Sequence, residues 1–264
     1  MPYLAIDTST QTLSVALGTE ESIIAEYTTN VSGDHSSRLM PAIEHMMKVA
    51  KITPKDLKGI IVAKGPGSYT GLRIGVSTAK SFAWSLNLPL IGVSSLSVIA
   101  HSCKGHTGVI VPVIDARRGQ VFTGVYKSHC SDDGSITHLP HNDLWKAIEG
   151  DRLTMFTDWI CEISGKYERI LFVGHDIHIH KKTLEQFITS QEQRASDMDY
   201  IRTNIRVASV SRNLARASSL LEIGLGYVAR GEIEDVKSFS PEYLRLAEAE
   251  YNWLQQQKLG VGSE

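Results

Sequence analysis

Four short runs hold the residues whose types and spacing could do chemistry. Asp7 closes an apolar run and is followed by Thr8, Ser9 and Thr10. In a phosphate loop, an aspartate there would hold magnesium, with hydroxyls and a nearby glycine on the phosphates. No glycine follows, and the alternative is an Asp and Ser/Thr turn bonding its own backbone. The second run is KGPGSYTGLRIG, Lys64 to Gly75, between the apolar GIIVA and a helix-like segment. A strand, a glycine loop and a helix start can receive phosphate on backbone N–H groups and the positive helix end. Gly65, Gly67 and Gly71 fit a relaxed dinucleotide pattern, but LIGVSS lacks the ribose-binding acid expected about 20 residues on. A Walker loop needs Lys-Ser or Lys-Thr where Leu72-Arg73 stand. The favoured expectation is a packing or partner role: Gly71, Gly75, Ala79 and Ala83, spaced by four, give the helix a smooth ridge.

The third run, HDIHIH, holds His175, His178 and His180 beside Asp176. On a strand, His178 and His180 would share a face, so a divalent site is one reading and surface histidines the other. His35 and His45 are too far apart for an i, i+4 ligand pair. The fourth run, Arg117-Arg118, is either an anion contact or a solvated pair. No serine lies in a Gly-x-Ser-x-Gly elbow and no cysteine has a nearby His or Asn pattern, so neither a catalytic set nor a metal set is assigned.

The whole chain narrows these options. Of its 264 residues, 27 are Lys or Arg and 29 Asp or Glu, a net charge of -2 that offers no basic field for nucleic acid. Apolar residues make up 42%, the proportion of an ordinary folded protein. Cys103, Cys130 and Cys161 are few and scattered, which fits a reducing compartment. With no targeting signal in MPYLAIDTSTQ and no long apolar run, a cytoplasmic protein without a membrane span is expected.

The elements follow from periodicity. YLAIDTS, TLSVALG and SIIAEYTT read as an antiparallel meander. A helix follows over 36–50, with Leu39, Ile43, Met46, Met47 and Ala50 on one stripe and Pro41 in its first turn; Thr53-Pro54 starts a short second turn. GIIVA is a buried strand, 71–86 a helix and LPLIGVSSL another strand, together implying a mixed sheet with helices on its faces. IDTSTQTLSVAL can be laid on IDARRGQVFTGVY, Ile114 to Tyr126, as a weak internal repeat, with Lys104 to Gly108 as the hinge. The second half reads as less regular: a polar insertion, a strand at 169–174 and a long helix from about Val210 to Arg230. A Pro-initiated tail with a final helix ends the chain.

IDTSTQTLSVAL, GPGSYTGLRIGVSTAKSFAWSLNLPLIGVSSL at 65–96, IDARRGQVFTGVY and PEYLR at 241–245 resemble the bacterial TsaB family, also called YeaZ, in order over nearly the whole chain; 130–205 is the weakest part. The resemblance implies an α/β fold of the actin-like, ribonuclease-H-like (ASKHA) kind, with two lobes of mixed sheets flanked by helices. The lobes would be 1–104 and a degenerate 105–205, with 206–264 supplying a long helix between the lobes and a tail. It also implies a non-catalytic role in making threonylcarbamoyladenosine on tRNA. The chain would pair with its paralogue TsaD, with the ATPase TsaE in a ternary complex, or with itself when alone. It would touch tRNA only indirectly, and ATP and metal would sit on the partners. The catalytic paralogue's His-x-x-x-His pair has no counterpart after Asp34, where His35 is followed four residues on by Leu39. The pairing surface implied is the helices at 36–50 and 71–86: Leu39, Ile43, Met46, Met47, Gly71, Leu72, Gly75, Val76, Ala79 and Ala83. The motif loop is Gly65, Pro66, Gly67, Ser68, Tyr69, Thr70, Gly71 and Arg73, and Asp7 to Thr10 would be a vestigial nucleotide loop. Two rival expectations remain: an actin-fold enzyme using ATP alone through Asp7, and a glycoprotease-like metallopeptidase using the three histidines.

Overall fold

The computed structural model describes residues 1–128, 145–194 and 203–245. β1 (Tyr3–Asp7), β2 (Leu13–Gly18) and β3 (Ile23–Thr29) form the expected meander. α1 (His35–Ala50) starts on the Asp34 carboxylate, which accepts from the Ser36 backbone N–H. A 3-10 turn at Pro54–Asp56 has a capping box closed by Thr53 and Asp56. β4 (Gly59–Gly65), α2 (Tyr69–Leu86), β5 (Leu90–Ser94) and α3 (Ser95–His101) complete the first lobe. The second lobe contains β6 (Val109–Asp115), β7 (Gln120–Ser128), β8 (Trp145–Met155), α4 (Phe156–Ser164), β9 (Arg169–Val173), α5 (Lys181–Arg194) and β10 (Asn204–Val207). α6 (Ala217–Ala229) follows.

The sheet orders, β3-β2-β1-β4-β5 and β10-β9-β6-β7-β8, are one topology used twice. In each, the hairpin pair is antiparallel and the last two strands join in parallel. The two-lobed actin-like fold is therefore present, and the repeat between IDTSTQTLSVAL and IDARRGQVFTGVY is the β1–β2 and β6–β7 hairpins. Three apolar cores separate the layers. One lies between the first sheet and α1 with α2, another between the second sheet and α4 with α5. In the central core, α3 and α6 sit between the sheets, with Ile61, Ile91, Leu220 and Leu221 on one side and Ile110 and Phe122 on the other.

Four expectations need correction. The helix expected from Val210 begins at Ala217; Val210–Arg212 is a separate 3-10 turn. The chain breaks between them because the Asn213 side chain turns inward, its Oδ1 accepting from Gly174 N at 3.2 Å, while Ala217 N donates to Ser14 Oγ at 2.8 Å. Pro41 lies in the second turn of α1, on its exposed side. HDIHIH is a 3-10 helix, because Gly174 at φ +129° turns the chain as β9 ends. The second lobe, read as less regular, repeats the first strand for strand. The polar insertion at 129–144 and the expected final helix beyond 245 lie outside the described residues.

Candidate functional site

The Asp7 turn and the glycine loop meet. Asp7 is wholly buried; its Oδ1 accepts from Ser9 N at 2.9 Å and from Ser9 Oγ at 2.7 Å. Its Oδ2 has no hydrogen-bond partner among the described residues, and burial pushes the carboxyl above the usual carboxylate range. The turn's own oxygens fill the start of α2. Ser68 N donates to Ser9 O at 2.7 Å, Thr8 Oγ1 donates to Gly71 O at 2.7 Å, and the Ser68 hydroxyl caps the helix by accepting from Gly71 N. A Cβ on Gly67 would collide with the Ser9 carbonyl oxygen, one on Gly71 with that of Thr8, and one on Gly75 with the Thr8 hydroxyl. The glycines let α2 press onto the β1–β2 turn, and carbonyl oxygens stand where an anion would need donors.

The loop meets the tail on its other side. Gly65 has φ +125°, and a Cβ there would strike the Glu242 carbonyl; Glu242 N donates to Lys64 O at 2.7 Å. The Tyr69 and Tyr243 rings lie 4.8 Å apart, the Arg73 guanidinium sits 4.2 Å from the Tyr69 centroid, and Arg73 Nε donates to Tyr243 OH at 3.2 Å. Lys80 Nζ donates to the Lys237 and Phe239 carbonyls, and Phe239 is buried against Gly92. The motif loop and PEYLR, far apart in sequence, are thus one structural unit.

The pairing surface implied by the resemblance is corrected outright. Leu39, Ile43, Met46, Met47, Gly71, Leu72, Gly75, Val76, Ala79 and Ala83 are all buried within the single chain. The physical reason is phase: the apolar stripe of an amphipathic helix faces its own sheet, and the small-residue ridge of α2 follows it there. What α1 and α2 leave exposed is Met40 at 48%, Val49 at 65%, Trp84 at 62% and Tyr69 at 38%. Trp84 and Val49 lie on the flanks of the two stripes, where spacing alone does not separate core from surface. The Tyr69–Tyr243 pairing carries no local sequence signal.

His175 and His178 lie together with ring centroids 5.2 Å apart, but His180 is engaged elsewhere. His180 is buried, with Nε2 2.9 Å from Asp115 Oδ1; His178 Nδ1 lies against the His175 carbonyl; His175 Nδ1 lies 3.3 Å from Asn30 Nδ2. No group of three His, Cys, Asp or Glu among the described residues is arranged to hold a metal. Arg117 and Arg118 tip the β6–β7 hairpin at φ +63° and +56°, a left-handed turn that Arg117 N secures by donating to Asp115 Oδ2. No described helix is long and apolar enough to cross a membrane.

Residues 22–253 match the family model described as TsaD, tRNA N6-adenosine threonylcarbamoyltransferase. The chain is 40% identical over 258 residues to the Bacillus subtilis tRNA threonylcarbamoyladenosine biosynthesis protein TsaB, covering 98% of this chain and 100% of the relative. The Escherichia coli protein of the same name is 33% identical over 172 residues, 60% of this chain and 72% of the relative. The solved structure of YeaZ from Pseudomonas aeruginosa overlays with a TM-score of 0.66 at 22% identity, covering 92% of this chain and 99% of that one, which shows a shared fold. With an end-to-end match at 40% identity and the motif loop locked onto its own turn and tail, the chain belongs to the TsaB family.

Proposed function

We propose that this chain acts in tRNA threonylcarbamoyladenosine biosynthesis as a non-catalytic subunit that pairs with a TsaD-type paralogue. The names of its relatives supply the pathway. The observation that supports the non-catalytic part is the filled helix start: Ser68 N is given to Ser9 O, and the Ser9 and Thr8 carbonyls press on Gly67 and Gly71, so an anion at this helix end would meet acceptors. The same observation weighs against an ATP-using enzyme acting alone. The engagement of His180 with Asp115, away from the His175–His178 pair, weighs against a metallopeptidase. ATP, metal and a TsaE-type ATPase belong on this reading to the partners, tRNA contact is indirect, and the compartment is the cytoplasm.

The pairing face on this reading is the outer side of α1 and α2 around Trp84, in place of the buried stripe, with Met40 and Val49 projecting from opposite flanks of α1. Large exposed apolar side chains on two adjacent helices suit a helical partner, or a second copy of this chain when none is present. The test mixes this chain with the TsaD paralogue from the same organism and measures mass by size-exclusion chromatography with light scattering, with and without ATP. A stoichiometric complex is expected, with Trp84→Asp and Val49→Asp each weakening it at least tenfold while remaining folded. Separate elution under every condition would overturn the reading. Magnesium-dependent nucleotide binding by the isolated chain, lost in Asp7→Ala, would replace it with the enzyme reading.

A further inference from the structure

A cavity of about 440 Å³ opens between the lobes, walled by the ends of β4 and β5, by β7 and β8, and by α3 and α6. It lies away from the Asp7 turn. Strand irregularity aims its central group. Between Thr123 and Val125 of β7, β8 runs from Arg152 to Glu149, and between Val125 and Tyr126 it runs from Glu149 to Ala147, so β8 carries extra residues at both steps. Such bulges re-aim side chains. Here Asp151 is turned toward the first lobe, so that Ser94 Oγ of that lobe donates to one carboxylate oxygen and Tyr126 OH of β7 to the other.

Asp151 has no ion-pair partner among the described residues, and its hydrogen-bond donors are neutral hydroxyls. Burial raises its pKa, and although the two hydroxyls and the nearby charge of Lys64 lower it, they do not offset that desolvation. Aromatic rings surround it: Tyr126 and Trp145 stack at 5.6 Å, Tyr227 lines the opposite wall, and Trp145 is held by its N–H bond to Ser97 Oγ at 2.9 Å. A carboxylate among aromatic faces is the chemistry that receives an ammonium group. Cations stand elsewhere in the lining. Lys64 is paired with Glu242 at 3.6 Å and Arg230 with Glu232, whereas Lys146 forms no ion pair with a described residue. His101, buried with its pKa lowered to about 4 by desolvation, adds a hydrogen-bonding group without charge near neutral pH.

We propose that this interlobe cavity binds a small zwitterion of the free amino acid class, its ammonium on Asp151 within the aromatic walls and its carboxylate on Lys146. The volume suits a ligand of that size. The lining balances Asp151, Glu222 and Glu242 against Lys64, Lys146 and Arg230, which suits a ligand without net charge better than a multiply charged phosphate. The inference does not depend on the pairing surface.

The test is isothermal calorimetry and thermal shift on the full chain with each of the twenty standard L-amino acids at up to about 10 mM, a range suited to ligands of few atoms. The tightest binder is then compared with its amide, its N-acetyl derivative and AMP. Saturable binding of at least one amino acid is expected, with a Tm rise of about 3 °C at saturation. The amide and the N-acetyl derivative should each bind at least tenfold more weakly. Asp151→Asn should cost at least tenfold in affinity and the exposed Lys146→Ala several-fold, each with unliganded circular dichroism like that of the wild type. If Asp151→Asn fails to fold, Lys146→Ala and the two blocked ligands decide. No saturable amino acid binding, unchanged affinity in the folded variants, or tighter binding of AMP would overturn the proposal.

Discussion

The two hairpins that begin the two sheets, β1–β2 and β6–β7, share a topology and an aspartate at the end of the first strand, yet their turns have opposite characters. Asp7 is sealed, bonded to Ser9 through one oxygen with the other unpartnered among the described residues. Asp115 is half-buried, and its two oxygens serve different elements: one faces His180, the other accepts from Arg117 N. A positive-φ glycine with no room for a Cβ closes or directly follows the strand after each crossover, Gly65 at the end of β4 and Gly174 just past β9. Beyond that point the lobes part. The first continues into the long α2, drawn onto the turn by three glycines; the second makes a 3-10 turn before α5. A duplicated topology thus fixes where the chain turns, and what packs against each turn fixes whether the site stays open.

Substitutions can break that comparison, and the largest effect is expected in the outer layer of the first lobe. Ile43→Ala should lower unfolding free energy by about 3 kcal/mol in urea, because the side chain is 1% exposed and its loss leaves a cavity. Trp84→Ala on the neighbouring helix should change stability by less than about 0.5 kcal/mol. Equal effects would mean that the inner and outer faces are misassigned. Next comes the sealed turn: Gly67→Ala should cost about 2 kcal/mol through its clash with the Ser9 carbonyl, whereas Gly150→Ala in β8, where a Cβ meets nothing within 4 Å, should be close to neutral by the same measurement.

Protonation sharpens the contrast further. Because burial raises the Asp7 pKa in the folded state, that state holds its proton to a higher pH than the unfolded chain, and this group's contribution falls as pH rises through the raised value. Asp7→Asn should therefore gain stability relative to wild type in urea titrations as pH is raised from about 4 to 7; a parallel pH profile would show that the carboxyl is not held this way. The smallest effect is expected at the open turn. Arg117→Gly relieves a left-handed backbone and should stabilise by about 0.5 kcal/mol, read as a small rise in Tm.

Much of the molecule is legible in its residues. The meander, α1, α2 and the internal repeat follow from period and turn chemistry, and the missing Walker and dinucleotide residues are enough to argue against a phosphate loop. The pairing face is where periodicity misleads. Leu39, Ile43, Val76 and Ala83 stand out as a stripe, but a stripe does not say whether sheet or partner covers it. HDIHIH alternates like a strand, and the Gly174 turn overrides that alternation.

By itself the sequence determined the order of elements from β1 to β5, the duplicated hairpins and the absence of nucleotide fingerprints, because these depend on neighbours a few residues apart. Only the tertiary structure decided that Ser9 O fills the start of α2, that Tyr243 meets Tyr69, and that Asp151 reaches Ser94 across the lobes. Those contacts join residues 57 to 174 positions apart, where no local periodicity or propensity acts and only the packing of whole sheets and helices sets what touches.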